Sequence, residues 1–301
     1  MSKACGEKNL LVAAGAVAAA VAAVGATVAA GLARAADVHV LRLATGGWAL
    51  VYTTRDDVGQ DVRVLRTGGV YQSATYLGDR RMEPVFAYYR ALGRVFELRP
   101  HACRILAIGG GGCAFPKLVA TTHPDVHLDV VEIDPAVITA ARRWFFADEA
   151  AELMCAAGGS FDLICDDGRA VLERVRAGSY DAVVLDAFVG AEPVRALATV
   201  EAARAARRTL GERGVLLANV VSRQGGTDVS FLRSYVATLS TVFTHVAVAP
   251  ATDEEHAEED NYLVVASDAP LSLPDAIPYD EDFLGPVLRD TPPRKNLSAS
   301  R

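Results

Sequence analysis

The chain has 301 residues, 51% of them hydrophobic and 22% charged, enough to bury a substantial core. Its net charge of −7 lacks the basic face that nucleic-acid binding calls for, so nucleic acid is excluded as an expected partner. The five cysteines (Cys5, Cys103, Cys113, Cys155, Cys165) are scattered and form no CxxC pair, so neither a zinc site nor a disulfide framework is readable and no metal is expected.

Residues 10–33 contain no charged side chain and are numerous enough for a helix to cross a bilayer. Residues 1–36 are therefore expected to be a membrane anchor, with the following domain facing the cytoplasm. The run is rich in Ala, Val and Gly, and Ala33-Arg34-Ala35 resembles a cleavage site. A removed signal peptide and a soluble Ala-rich helix in a cytoplasmic protein are the alternatives. Residues 37–78 alternate apolar and polar positions between Gly-rich or acidic turns, which predicts a small antiparallel β domain of hairpins. Residues 82–92 carry a helical pattern with Pro84 near its start.

From residue 103 the pattern becomes strand, helix, strand, helix. Strands are expected at 104–108, 128–133, 161–165, 182–186, 214–221, 246–248 and 262–266. Helices are expected at 115–121, 135–146, 169–177, 191–210 and 230–242. This alternation predicts a mostly parallel α/β sheet of Rossmann type over residues 79–268, with ligands at the carboxyl ends of its strands. Six prolines and many polar residues after Ser267 predict a loosely packed tail over 269–301.

The densest chemistry lies between residues 105 and 135. A short apolar run, Ile105-Leu-Ala-Ile108, is followed at once by Gly109, Gly110, Gly111 and Gly112. Glycine lets a ligand approach the main chain closely, and the next helix points its free N–H groups back toward that ligand. About twenty residues on, a second apolar run ends in Glu132, placed to accept hydrogen bonds from a ribose diol. A glycine run after a strand also serves as a plain tight turn, and the strict G-x-G-x-x-G spacing is absent, with Ala114 in place of the third glycine. Two later strand ends favour a nucleoside: Asp167, before Gly168, is positioned for an adenine amino group, and Asp186 can hold or deprotonate an incoming amine. Both could equally be helix-cap or turn residues.

These residues resemble a known family. Gln60, Gly69-Val70-Tyr71-Gln72, the glycines at 109–111, Val131-Glu132-Ile133-Asp134, Asp167-Gly168, Tyr180-Asp181 with Asp186, and Pro193 are similar in kind and order to the aminopropyltransferases, spermidine synthase and its relatives. The resemblance spans roughly residues 48–268. It implies an N-terminal β domain on a class I methyltransferase-like Rossmann domain. It further implies transfer of an aminopropyl group from decarboxylated S-adenosylmethionine to an amine, with a homodimer among the expected assemblies. By motif position, Gly109, Gly110, Gly111, Glu132, Ile133, Asp167 and Gly168 would bind the nucleoside. Gln60 and Gln72 would line the substrate site, Gln72 touching the donor as well, and Asp186 would be the catalytic carboxylate.

Three features depart from the family pattern. Gly112 stands where the family has an aspartate that meets the donor's ammonium group, so ordinary S-adenosylmethionine is expected to be tolerated better than usual. Val189 replaces a second amine-binding carboxylate. Gly78-Asp79-Arg80-Arg81 is inserted, leaving Phe86 near the expected tyrosine. A methyltransferase and a non-catalytic nucleoside-binding module are the alternative functions.

Overall fold

The computed structural model describes residues 36–56, 58–189, 192–221, 228–251 and 261–291. The expected anchor over residues 10–33 lies outside the described residues, and no described helix is long and apolar enough to cross a membrane.

Four strands, β1 (Ala36–Arg42), β2 (Trp48–Arg55), β3 (Asp61–Thr67) and β4 (Val70–Tyr76), form an antiparallel sheet in sequential order. Successive side chains on a strand point to opposite faces. Ala49, Val51 and Leu65 therefore pack on one side against Val137, Ala140 and Phe145 of the second sheet's layer. Tyr52, Val62, Val64 and Ala74 cluster on the other side with Val85 and Phe86. Two short helices follow, α1 (Ala87–Leu92) and α2 (Val95–Leu98). The first is shorter than the pattern over 82–92 suggests, because Phe86 remains extended.

The second sheet then builds in strand–helix units: β5 (Arg104–Ile108), α3 (Ala114–Thr122), β6 (His127–Glu132), α4 (Pro135–Trp144), α5 (Ala147–Ala156), β7 (Ser160–Cys165), α6 (Gly168–Arg174) and β8 (Tyr180–Leu185). A two-strand hairpin, β9 (Phe188–Val189) and β10 (Glu192–Pro193), leads to α7 (Val200–Thr209), β11 (Leu210–Val221), α8 (Ser230–Ser240), β12 (His245–Pro250) and β13 (Asn261–Ser267). The spatial order is β12-β13-β11-β8-β5-β6-β7. β5, β6, β7, β8 and β11 run parallel, while β13 is antiparallel to both its neighbours. Both faces of this sheet are buried. Leu106 and Ile108 enter one apolar cluster and Ile105 and Ala107 the other, which explains why β5 reads as an unbroken hydrophobic run.

Local chemistry accounts for three departures from the sequence expectations. The helix expected over 135–146 stops at Trp144, and Phe146 takes a left-handed turn (φ 62°) before α5 restarts. The helix expected over 191–210 begins only at Val200, where the Thr199 hydroxyl accepts the Ala202 N–H as an N-cap. The stretch expected to be loose is packed through residue 291. Leu271 and Leu273 join one apolar cluster, and Phe283, Leu284 and Leu288 join the other. Tyr279 donates to the Val246 carbonyl (2.9 Å), and Asp290 pairs with Arg169 (2.9 Å). Its apolar residues are few but fall where the sheet layer needs cover.

Polar ties join the two sheets, among them the following three. The Thr45 N–H and hydroxyl both donate to Asp134 Oδ2 at 2.9 Å, across the β1–β2 turn. Arg81 pairs with Glu149 at 2.6 Å. Lys117, fully buried on α3, donates to Thr75 Oγ1 (2.6 Å) and to the Arg81 carbonyl (2.9 Å), and burial pushes its ammonium down to about 8.

Candidate active site

The strand order reverses direction at β5, with β6 on one side and β8 on the other, and a cavity of about 1720 Å³ opens at the carboxyl ends of these strands. That exceeds the few hundred to roughly 1,000 Å³ of a typical single-ligand pocket, leaving room for two reactants side by side.

The glycine loop shapes the first wall. Gly109 has φ +99°, and a Cβ there would lie 1.9 Å from the Asp186 carbonyl oxygen. Only glycine lets the end of β5 pass so close to the end of β8. Glu132 then grips the loop. Its Oε2 accepts the Gly110 and Gly111 N–H groups (3.0 and 3.2 Å), and its Oε1 accepts the Asp134 N–H (3.0 Å). A carboxylate offers about four lone-pair directions, so capacity remains for a hydroxyl from the cavity.

Next to Glu132 the side chains sort by direction. Ile133 is 52% exposed and lines the cavity as an apolar platform. Asp134 is buried and N-caps α4 through Ala136 (2.9 Å). Burial raises its carboxyl, but the hydrogen bonds from Thr45 and Ala136 outweigh this and hold it below the ordinary aspartate value. Asp167 lines the cavity and N-caps α6 through Ala170 (2.8 Å). Gly168 lines it too, packed so close to β5 that a Cβ would strike Ile108 Cγ2 at 2.2 Å.

Asp186 forms the floor. Its Oδ1 accepts from Asn219 Nδ2 at 3.0 Å. Burial pushes its carboxyl up to about 6, partly opposed by that amide bond. Tyr88 and Tyr89, with ring centroids 4.1 Å apart, line the cavity beside it. Burial and the Asp186 charge raise both phenols well above their usual value, so they stay protonated and able to donate. Gln72 lines the cavity opposite the glycine loop, its carbonyl facing Gly111.

The structure thus gathers Gln72, Gly109, Gly111, Glu132, Ile133, Asp167, Gly168 and Asp186 around one cavity, with Gly110 held just behind by Glu132. It does not bring Gln60 there. Gln60 sits at the β2–β3 turn, its side-chain oxygen accepting from Arg80 (2.5 Å). Gly112 is also placed elsewhere than expected. It is buried, and a Cβ on it would lie 2.6 Å from Ser73 Oγ and 2.7 Å from the Phe145 ring. An aspartate there would have to push both side chains aside.

Sequence reasoning missed Tyr88, Tyr89 and Asn219. The signal for Asn219 was available, as a lone amide in the apolar run Val215-Leu-Leu-Ala-Asn219-Val-Val. The tyrosines lay two and three positions beyond Phe86, where the family pattern drew attention.

A family model described as "Spermine/spermidine synthase domain" matches residues 86–251. The polyamine aminopropyltransferase of Vibrio vulnificus (strain CMCP6) is 32% identical over 171 residues, covering 54% of each chain. That of Chromobacterium violaceum is 31% identical over 160 residues, covering 53% of this chain and 58% of the relative. The chain spans about half the length of the curated relatives it matches. The crystal structure of a probable spermidine synthase from Corynebacterium glutamicum ATCC 13032 superposes with a TM-score of 0.62 at 24% identity, over 78% of this chain and 81% of that one. It shares the fold described above.

Proposed function

The chain belongs to the spermine/spermidine synthase family, and from that premise we propose that it transfers an alkyl group, aminopropyl in the decarboxylated case, from decarboxylated S-adenosylmethionine or S-adenosylmethionine to an amine. The observation that carries this reading is Asp186. It is a half-buried carboxyl pushed up to about 6 by desolvation, fixed by Asn219 on one oxygen, between the glycine loop and two protonated tyrosines.

In this reading the nucleoside lies along Glu132, Ile133, Asp167 and Gly168, with a ribose hydroxyl on the remaining lone pair of Glu132. The amine lies over Asp186. Its nitrogen attacks the methylene carbon next to the sulfonium, the carbon–sulfur bond breaks with its electrons going to sulfur, and neutral methylthioadenosine leaves when the donor is decarboxylated. Asp186 takes the proton the nitrogen sheds. The sulfonium is already a good leaving group, so the protein mainly positions the reactants and removes that proton. Gly112 faces Ser73 and Phe145 rather than the cavity, so it says nothing about which donor is used.

The test is incubation of the protein with each donor and a panel of amines, followed by mass spectrometry. Aminopropylated amine together with methylthioadenosine is the expected result. Methylated amine, or nucleoside binding without any product, would overturn the reading.

A further inference from the structure

Two amide oxygens at the back of the cavity have no hydrogen-bond partner among the described residues: Asn219 Oδ1 and Asn261 Oδ1, both buried and both on residues that line the cavity. Asn219 is only 8% exposed. The orientation of its amide is fixed by chemistry, because Nδ2 donates to Asp186 Oδ1 and the reversed amide would set oxygen against a carboxylate oxygen. Its Oδ1 is thus turned away from Asp186. Asn261 stands on the neighbouring strand. Val221 pairs with Asn261 and Asn219 pairs with Leu263, so the two asparagines are diagonal neighbours on the same sheet face, about 7–8 Å apart. A buried acceptor left without a donor is costly, and two of them on one wall make a surface that asks for donors from a ligand.

We propose that Asn219 and Asn261 form the acceptor-amine subsite. The proposal rests on the transfer reading above. Asn219 Oδ1 accepts an N–H of the attacking amine while its Nδ2 holds Asp186. Asn261 Oδ1 accepts from a second donor group a few carbons further along the acceptor. An amide oxygen carries no net charge, so the stronger bond an ammonium makes to it is offset by the cost of stripping that ammonium of water, and a hydroxyl competes with it; a carboxylate adds direct attraction for the cation. The acceptor class is therefore a short alkylamine with a second hydrogen-bond donor, amino alcohols included, rather than a strictly dicationic diamine.

The experiment is calorimetry on the full chain loaded with methylthioadenosine, titrated with 1,4-diaminobutane, 4-amino-1-butanol and butylamine. The expected ranking places the first two within about threefold of each other and butylamine about tenfold weaker. Asn261→Leu should bring all three to the butylamine value while leaving methylthioadenosine affinity unchanged, which also reports that the variant is folded. Asn261→Asp should favour the diamine over the amino alcohol by about tenfold. Equal binding of butylamine and diamine to the unaltered chain, or an unchanged ranking in Asn261→Leu, would overturn the subsite. If the ranking appears but no product forms with either donor, the subsite stands and the transfer reading falls.

Discussion

Glu132 and Asp186 end the two strands that flank β5, yet they are treated in opposite ways. Glu132 is held mainly by backbone: three N–H groups bind it and leave room for about one more donor, and it shapes the glycine loop before any ligand arrives. Asp134, beside it, accepts two bonds from Thr45 and one from Ala136, and is held below the ordinary carboxyl value. Asp186 has one side-chain amide for company, and burial lifts it to about 6. Asp134, a carboxylate surrounded by N–H groups, is a structural anion that will not readily take a proton. One left poor in donors can exchange a proton near neutral pH. The Glu132 side of the cavity is built to hold shape, and in the proposed reaction the Asp186 side does the chemistry.

The sharpest way to break this contrast is Asp186→Asn. Turnover should fall about 100-fold or more, the scale of a lost general base, while methylthioadenosine affinity measured by titration stays within about twofold. A comparable loss of nucleoside binding would erase the division of labour. In the unaltered enzyme the rate should rise with pH through about 6 and then level, since the ionised carboxylate is the active form, and the variant should lack that limb. The stability sign runs the other way. A carboxyl raised above its unfolded value binds its proton more tightly in the native state, so its contribution is present at low pH and lost as pH rises through about 6. Urea titrations between pH 4 and 7 should show this slope reduced in Asp186→Asn.

Gly112→Asp comes next in size. The side chain would have to displace Ser73 and the Phe145 ring, at a cost of about 2 kcal/mol or more in urea denaturation. A stable variant with altered donor preference would restore the direct donor contact expected from the family pattern.

Glu132→Gln should weaken methylthioadenosine about tenfold, because it removes a charged acceptor from the ribose and loosens the loop. Unchanged affinity would limit Glu132 to the loop. The smallest effect is expected from Thr45→Val, which keeps the backbone donor to Asp134 and deletes the hydroxyl. Stability should drop by about 1 kcal/mol with no change in nucleoside affinity.

The glycine-loop half of the cavity was legible because its signals are local. A strand, a glycine run and an acidic residue at the end of the next strand fall within thirty residues, and backbone geometry dictates each of them. Asp167 was legible as a helix cap for the same reason, and its side chain caps the helix that follows through Ala170. The Asp186 half of the cavity was less legible because it is assembled from afar. Tyr88 comes from the first helix, Asp186 from β8, and Asn219 and Asn261 from β11 and β13, and only the sheet order brings them together. Gln60 is the opposite case: it matches a motif position, while its side chain is held by Arg80 and does not line the cavity. The packing of residues 269–291 was hidden because Pro-rich composition reports low helix and strand propensity, not exposure.

Lys117 has a consequence for how the molecule could be divided. The segment that matches the family model begins at residue 86, after both acceptors that hold this buried ammonium, the Thr75 hydroxyl and the Arg81 carbonyl. It ends at residue 251, before β13, which sits inside the larger sheet between β12 and β11. Excised on its own, that segment would carry a buried cation with no partner and a sheet with an interior strand missing. The recognisable portion of the chain is not a portable one, and its borders mark where sequence similarity stops rather than where folding does.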